Sequence, residues 1–468
     1  MPLLNGASRR RLPQGRRRPG AGQRRGRQGH RAACRPFRAR VARLRTQADP
    51  RAGLGSRRRR GGPARGGLGR RGHPQRRAGR GLLQLGQPPG RRPRGGTRAR
   101  PRVKSALADY PPDVVARALA LHRTSPVADL HADSFIAARY VGRDLTRRLR
   151  APRGWNPLRQ HCDFVRLRAG GVRYQGFGIV VPPYVPRGAR WRHAVRTLAV
   201  VRETFLRGAR QAALVRTPAA GRAVVAGGRL AAFLGLEGCH ALDGHPERLS
   251  ALRAEGLGYA GLCHFRSNDV VVSGGDRRPA YRGLGPSGPA VIELCNALGI
   301  AVDLAHTGPS SFDAALERSR APVFVSHGNA RALCDHHRNL SDAQLRALAD
   351  QGGVIGIMFF PWLISRGLRR LCDDHRRVVD HIDHVASLVG PEHVALGSDF
   401  DGMIWSVRGL PDVSHLPVLT CELVRRGYPD DAVRGILGGN WLRYWASVVA
   451  AAERTEQAAA PTPPEALL

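Results

Sequence analysis

"VADLHADSF", residues 127–135, sets a histidine and an aspartate two apart directly behind a short apolar run. The run reads as a buried strand, and His131 and Asp133 stand at its C-terminal end. Two explanations compete for them: polar residues that cap a turn, or a pair of metal ligands at a strand mouth. In a (β/α)8 barrel the interior is apolar and the reactive groups come from the C-terminal ends of the strands. The choice therefore depends on whether the rest of the chain supplies such a barrel and further ligands.

Seven more runs share this texture: "VRYQGFGIVV" (172–181), "AAFLGLE" (231–237), "GYAGLCH" (258–264), "IAVDLAH" (300–306), "PVFVSH" (322–327), "GVIGIMFF" (353–360) and "HVALGSD" (393–399). Most are continuously apolar, as strands covered on both faces are. Helical patterns fill the gaps. "SDAQLRALADQGG" has Ser341 placed as an N-cap and Gly352 just past the end. "GPAVIELCNALG" puts Val291, Leu294, Cys295 and Leu298 on one face, and "DDHRRVVDHIDHVASLVG" turns Val378, Ile382, Val385 and Leu388 inward. Eight strand–helix alternations over residues 105–451 predict an α/β fold, a (β/α)8 TIM barrel of the metal-dependent hydrolase type. The rival is an open doubly wound sheet, but no glycine-rich dinucleotide turn follows the first strand.

Charge divides the chain. The net charge is +42, from 77 Lys+Arg against 35 Asp+Glu. Residues 1–100 hold 31 arginines and a single acid, Asp49, so they alone carry +30 and the other 368 residues only +12. Runs such as "RRRRGGPARGGLGRRG" cannot bury enough apolar surface to fold, so 1–104 is expected to be a disordered arm, and 452–468 a disordered tail. Lys104 is the only lysine, which suggests a strongly GC-rich coding source. The favoured expectation is a mis-assigned start, with the true one near Val103-Lys104. An arginine-rich nucleic-acid arm and a neutral extension are the alternatives. "SRRRR" at 56–60 resembles a twin-arginine export signal but lacks the apolar stretch that should follow. No run approaches a membrane span. Eight cysteines without a CxxC fit free thiols in a reducing compartment, so a cytoplasmic location is expected.

The remaining strand ends repeat the pattern of the first. Strand three ends in Glu237, four in His264, five in His306, six in His327, and eight in Asp399 and Asp401. Each alone reads as hydrogen-bonded structure or a turn cap. Together, four histidines and the carboxylates at equivalent barrel positions point to a metal site, because the fold would bring them to one mouth. Imidazole and carboxylate suit zinc or a similar divalent ion. His131, Asp133, Glu237, His306 and His327 are too many for one catalytic zinc and suit two ions about 3.5–4 Å apart. A modified lysine cannot bridge them, since Lys104 precedes the first strand; Glu237 is the best-placed bridge. Arg338 in "HHRNLSD" is either a surface arginine or a bidentate clamp for a substrate carboxylate.

These residues sit in pieces that resemble the membrane (renal-type) dipeptidase family of zinc peptidases, family M19: "DLHADS", "LEGCHAL", "GLCHFRSND", "GIAVDLAHTG", "PVFVSHGNARALCDHHRNLSD", "GGVIGIMFF", "ALGSDFDG" and "LGGNWLR". They occur in family order over about residues 127–445. The resemblance implies that His131 and Asp133 bind one zinc, His306 and His327 the other, and that Glu237 bridges them. It implies that His264 stabilises the developing oxyanion and Arg338 holds the dipeptide's terminal carboxylate. Asp399 would move the proton from the attacking water to the leaving amine, and Asp401 would be structural. The implied activity is hydrolysis of a dipeptide by a zinc-bridged hydroxide. Separately, a homodimer is expected, with neither membrane nor nucleic acid as a partner. Other two-metal barrel chemistry, on a lactone, an N-acyl amino acid or a β-lactam, is the nearest alternative; a nucleic-acid-binding protein with a degenerate barrel is the more distant one. The first motif departs from the family's usual Asp-Gly-His-Asn-Asp by Leu130 and Ala132, and Cys239 stands where a second glycine is usual. Cys239 is expected to be a small buried residue rather than a ligand.

Overall fold

All eight apolar runs contribute strands, and all the strands are parallel. The computed structural model describes residues 106–149, 160–367 and 373–459. In chain order the strands are β1 (Ala128–Ala132), β2 (Tyr174–Val180), β3 (Ala212–Leu214), β4 (Leu230–Glu237), β5 (Leu257–Gly261), β6 (Ala301–Asp303), β7 (Val325–Gly328), β8 (Ile355–Ile357) and β9 (Val394–Leu396). One sheet runs β1-β2-β4-β5-β6 and a second runs β7-β8-β9. Parallel bridges join them at both seams, Asp303 to Phe324 and Ala132 to Phe400. Leu304 N–H donates to Phe324 O at 2.8 Å, and Asp399 N–H donates to His131 O at 3.0 Å. Eight strands thus close into the expected cylinder.

The ninth strand, β3, was not legible in the sequence. It pairs only with the start of β4, Ala212 to Leu230 through Leu214 to Ala232, before β5 takes over that edge at Leu257 opposite Leu234. Its apolar stretch, residues 212–215 between Gln211 and Arg216, is too short to tell a strand from a helical segment.

One end of the cylinder is plugged by apolar side chains. Trp441, Tyr444, Trp445 and Val448 of the last helix pack with Ala128, Phe233, Phe324, Val354 and Ala395, and the Trp441 ring lies 5.2 Å from that of Phe233 and 5.1 Å from that of Phe324. "LGGNW" makes this approach possible. A Cβ on Gly438 would stand 1.9 Å from Pro126 O, and Asn440 Nδ2 donates to Pro391 O and Val394 O, each at 2.8 Å. With the N-terminal ends of the strands closed in this way, the C-terminal ends are left for polar groups.

The helices follow their sequence signals. Ser341 and Gln344 form a reciprocal capping box on Asp342–Asp350, and His375–Val389 buries Val378, Ile382 and Val385. The last helix continues to Ala459, into the segment expected as a tail, because "AERTEQAA" consists mostly of good helix formers. The arginine-rich arm with the expected start, and residues 460–468, lie outside the described residues. Cys162, Cys239, Cys263, Cys295, Cys334 and Cys421 are buried free thiols. Among the described residues no helix is long and apolar enough to cross a membrane.

Several arginines of the folded part are tied into ion pairs. Glu422 is fully buried and accepts Arg425 Nε at 2.8 Å, Arg426 Nε at 2.7 Å and Tyr110 Oη at 3.1 Å. Burial would raise its pKa, but the two guanidiniums overrule it and hold the carboxyl down to about 2. A depressed carboxylate contributes stability above its ordinary pKa and loses it as pH falls through the folded value. Glu422→Gln should therefore cost about 2 kcal/mol near neutral pH. The difference in melting temperature from wild type should shrink as pH falls from 4.5 toward about 2; a difference that does not change with pH would contradict it.

Candidate metal centre

His131 and Asp133 lie at the open end of β1. Asp133 fits only because β2 carries a glycine opposite it: a Cβ on Gly178 would stand 2.1 Å from Asp133 Oδ1. Glu237 is the last residue of β4, paired in register between Val180 and Gly261. His264 follows β5, His306 follows β6, His327 lies within β7, and Asp399 follows β9. His306 and Asp399 are turned inward by left-handed backbone, φ 67° and 58°; with Asp401 they make three of the four non-glycine residues at positive φ among the described residues. Such conformations cost on the order of 1–3 kcal/mol and persist where the surroundings enforce them, most often at functional sites.

These side chains converge on one carboxylate oxygen. Glu237 Oε1 lies 3.1 Å from His306 Nε2, 3.3 Å from His264 Nε2, 3.7 Å from His131 Nε2 and 3.8 Å from His327 Nε2. His131 Nε2 is also 3.3 Å from Asp133 Oδ1 and 3.9 Å from Asp399 Oδ1, and the His306 and His327 Nε2 atoms are 3.2 Å apart. Three triads have ligand atoms within 4.8 Å of one another: His131–Asp133–Glu237, Glu237–His306–His327 and His131–His327–Asp399. The first two share Glu237, and the third joins His131 to His327.

The electrostatics call for positive charge. His131 Nε2, Asp133 Oδ1 and Glu237 Oε2 are buried without a hydrogen-bond partner, a state that costs a few kcal/mol per group unless something else compensates it. Burial, Asp133 and Asp399 push the Glu237 carboxyl well above the usual range. Burial, with Asp133 and Asp129, raises Asp399 to about 7. Burial disfavours the charged form of His131, but Asp133, Glu237 and Asp399 outweigh it and raise the ring to about 10. His306 and His327 are held well below the ordinary imidazole value by burial and by Arg338 and the other rings. The pocket thus combines neutral imidazoles, which can act as ligands, with carboxylates that pull protons in. A divalent cation would supply the missing charge, so the donor set fits one.

The remaining expectations fall as follows. His264 is nearly buried and pushed down to about 3, chiefly by desolvation, so it is a neutral donor or acceptor. Arg338 lies among Asp399, Glu237 and Asp303, and its Nη2 is buried with no hydrogen-bond partner. Asp401 accepts from His161 N and Nδ1, Cys162 N, Ser134 Oγ and Gln160 Nε2, which makes it the anchor of residues 160–162. Cys239 is buried, its thiol is pushed up by desolvation, and it belongs to none of the three triads. No sequence pattern singles out Tyr259, whose Oη meets His131 Nδ1 at 2.6 Å. Gly402 was missed too, although a Cβ there would stand 2.2 Å from Asp399 Oδ1. The "GYAG" and "DFDG" runs contain them, but only the closed cylinder shows what they face.

A parallel barrel with these donors at its C-terminal mouth falls in the class of metal-dependent barrel hydrolases. The description "Membrane dipeptidase (Peptidase family M19)" matches residues 115–459, and the chain belongs to that family, a metallopeptidase family using divalent metal. It is 38% identical over 221 residues to dipeptidase aclJ of Aspergillus oryzae, covering 46% of this chain and 51% of that protein. The chain thus spans about half the length of that curated relative. The crystal structure of a probable dipeptidase, PvdM, from Pseudomonas aeruginosa superposes with a TM-score of 0.67 at 23% identity, covering 73% of this chain and 100% of that one; this likeness concerns the fold. A metallo peptidase from Rhodobacter sphaeroides, liganded with a phosphinate mimic of the dipeptide L-Ala-D-Ala, superposes with a TM-score of 0.61 at 25% identity, over 69% of this chain and 99% of that one.

Proposed function

We propose that the protein is a dipeptidase with two divalent ions, zinc by preference, held by His131, Asp133 and Glu237 on one side and by Glu237, His306 and His327 on the other. Imidazole with carboxylate is the donor mix that zinc favours. When bound, the ions would lower the pKa of a water molecule toward neutrality and polarise the scissile carbonyl.

The chain's own residues do the rest. Glu237 stands within reach of both sides, since Oε1 faces all four imidazoles and Oε2 is left without a hydrogen-bond partner. His264, neutral at working pH, donates a ring N–H to the carbonyl oxygen as negative charge develops there, a contribution of a few kcal/mol in comparable sites. Asp399 takes the proton of the attacking water and returns it to the leaving amine; a carboxyl raised toward neutrality suits both transfers. Arg338 forms paired hydrogen bonds to the substrate's terminal carboxylate. The unpartnered guanidinium N–H beside the ligands carries the choice of a dipeptide over a longer peptide, because a fixed cation one residue beyond the scissile bond selects a free C-terminus. The likeness to a peptidase liganded with a dipeptide mimic supports the same reading. The homodimer and the cytoplasmic location expected from the sequence carry none of this chemistry.

The test is a substrate panel. The purified protein should hydrolyse dipeptides, lose activity on chelation and regain it with Zn2+. It should spare tripeptides and dipeptide amides. Faster turnover of a lactone, an N-acyl amino acid or a β-lactam would replace this reading with the neighbouring one.

A further inference from the structure

The cylinder is joined at two seams by isolated bridges rather than continuous ladders, and both seams carry the same buried device. At the β6–β7 seam the Asp303 carboxylate accepts Ser326 N–H at 2.8 Å, Ser326 Oγ–H at 2.6 Å and Ala305 N–H at 2.9 Å. At the β9–β1 seam the Asp129 carboxylate accepts Ser398 N–H at 2.8 Å, Ser398 Oγ–H at 2.6 Å and Gln175 Nε2 at 3.3 Å. Both serines are fully buried. The residue after each serine belongs to the metal centre: His327 in one case, Asp399 in the other.

At Ser326 the proton count sets the state of a ligand. The hydroxyl has one hydrogen, and Asp303, which carries no donor as a carboxylate, receives it. The 2.8 Å contact between Ser326 Oγ and His327 Nδ1 therefore has the ring nitrogen donating. A neutral imidazole has one N–H, so Nε2 is left with its lone pair, and Nε2 is the atom facing His306 and Glu237. The backbone around the serine has no slack. A Cβ on Gly356 or Gly397 would stand 2.1 Å or 1.9 Å from Ser326 O.

We infer that the Asp303–Ser326 and Asp129–Ser398 pairs are positioning clamps that lock the two sheets beneath the metal centre, and that Ser326 in addition fixes His327 in its ligand tautomer. This rests on the two-ion reading above. Partners of this kind behind a metal-binding histidine typically govern about 10- to 100-fold in affinity. The Ser398 pair contacts no ring nitrogen, so it acts on spacing alone.

The experiment is metal binding by the full chain, read by chelator competition and by the visible spectrum of the Co2+ form. Wild type should bind two ions. Ser326→Ala should keep one and bind the other about 10- to 100-fold more weakly, with the Co2+ spectrum losing the features of one site. Ser326→Thr, which keeps the hydroxyl, should restore both. Ser398→Ala should lower the melting temperature of the metal-free protein while preserving the affinity difference between the ions. Unchanged affinities in Ser326→Ala would overturn the inference. Should that variant not fold, Ser326→Cys takes its place, and wild-type affinity there would overturn it equally. A wild type that binds no metal would instead remove the two-ion reading, so the two failures are distinguishable.

Discussion

Glu237→Gln is expected to abolish dipeptide hydrolysis and to leave the protein short of metal. The substitution keeps the volume and planarity of the side chain, so packing between Val180 and Gly261 is undisturbed. What disappears is the charge shared by two ligand triads. An amide offers one acceptor oxygen where the carboxylate offers two, and its NH2 group cannot face a cation. Activity should fall by three orders of magnitude or more, about 4 kcal/mol in the barrier, and metal content by elemental analysis should fall with it. A separate measurement guards against a folding artefact. The carboxyl is buried beside Asp133 and Asp399 and pushed well above its usual range. Removing it relieves like-charge repulsion, and the metal-free variant should melt no lower than metal-free wild type. Full metal content with retained turnover would refute the bridging role.

Arg338→Ala should raise KM for dipeptides about 100-fold, which is about 2.7 kcal/mol and within the range of a charge-assisted pair, with a smaller change in kcat. Dipeptide amides, which lack the carboxylate, should be affected little, so the variant should lose wild type's preference for the free acid. The pH profile should move as well. Arg338 is one of the charges that hold the Asp399 carboxyl down, so its loss lets that pKa rise and shifts the acidic limb of the rate profile to higher pH. An unchanged KM with an unchanged preference would place Arg338 outside the substrate site.

Much of the site was legible because barrel strands translate position in sequence into position in space. A polar residue ending an apolar run must stand at the mouth, and "VADLHADSF" put His131 and Asp133 there, "AAFLGLE" Glu237, "IAVDLAH" His306 and "PVFVSH" His327. Family-like motifs then gave His264, Asp399 and Arg338 their expected tasks. The short β3 and the helical stretch up to Ala459 were not legible. β3 depends on an edge of β4 that β5 leaves free, and the final helix owes its length to local helix preference in a segment expected as a tail.

The chain by itself determined which residues could be ligands and that they share one end of the fold, since both follow from residue type and strand alternation. It could not determine distances, charge balance or protonation. Only the closed cylinder brings four imidazoles within 3.8 Å of Glu237 Oε1, and only burial there raises Asp399 to about 7. The same holds for Tyr259, Gly178 and the two Asp–Ser pairs, whose meaning lies in what stands opposite them. Pairing across strands far apart in sequence is decided by the register of the whole sheet, and no local pattern carries that information.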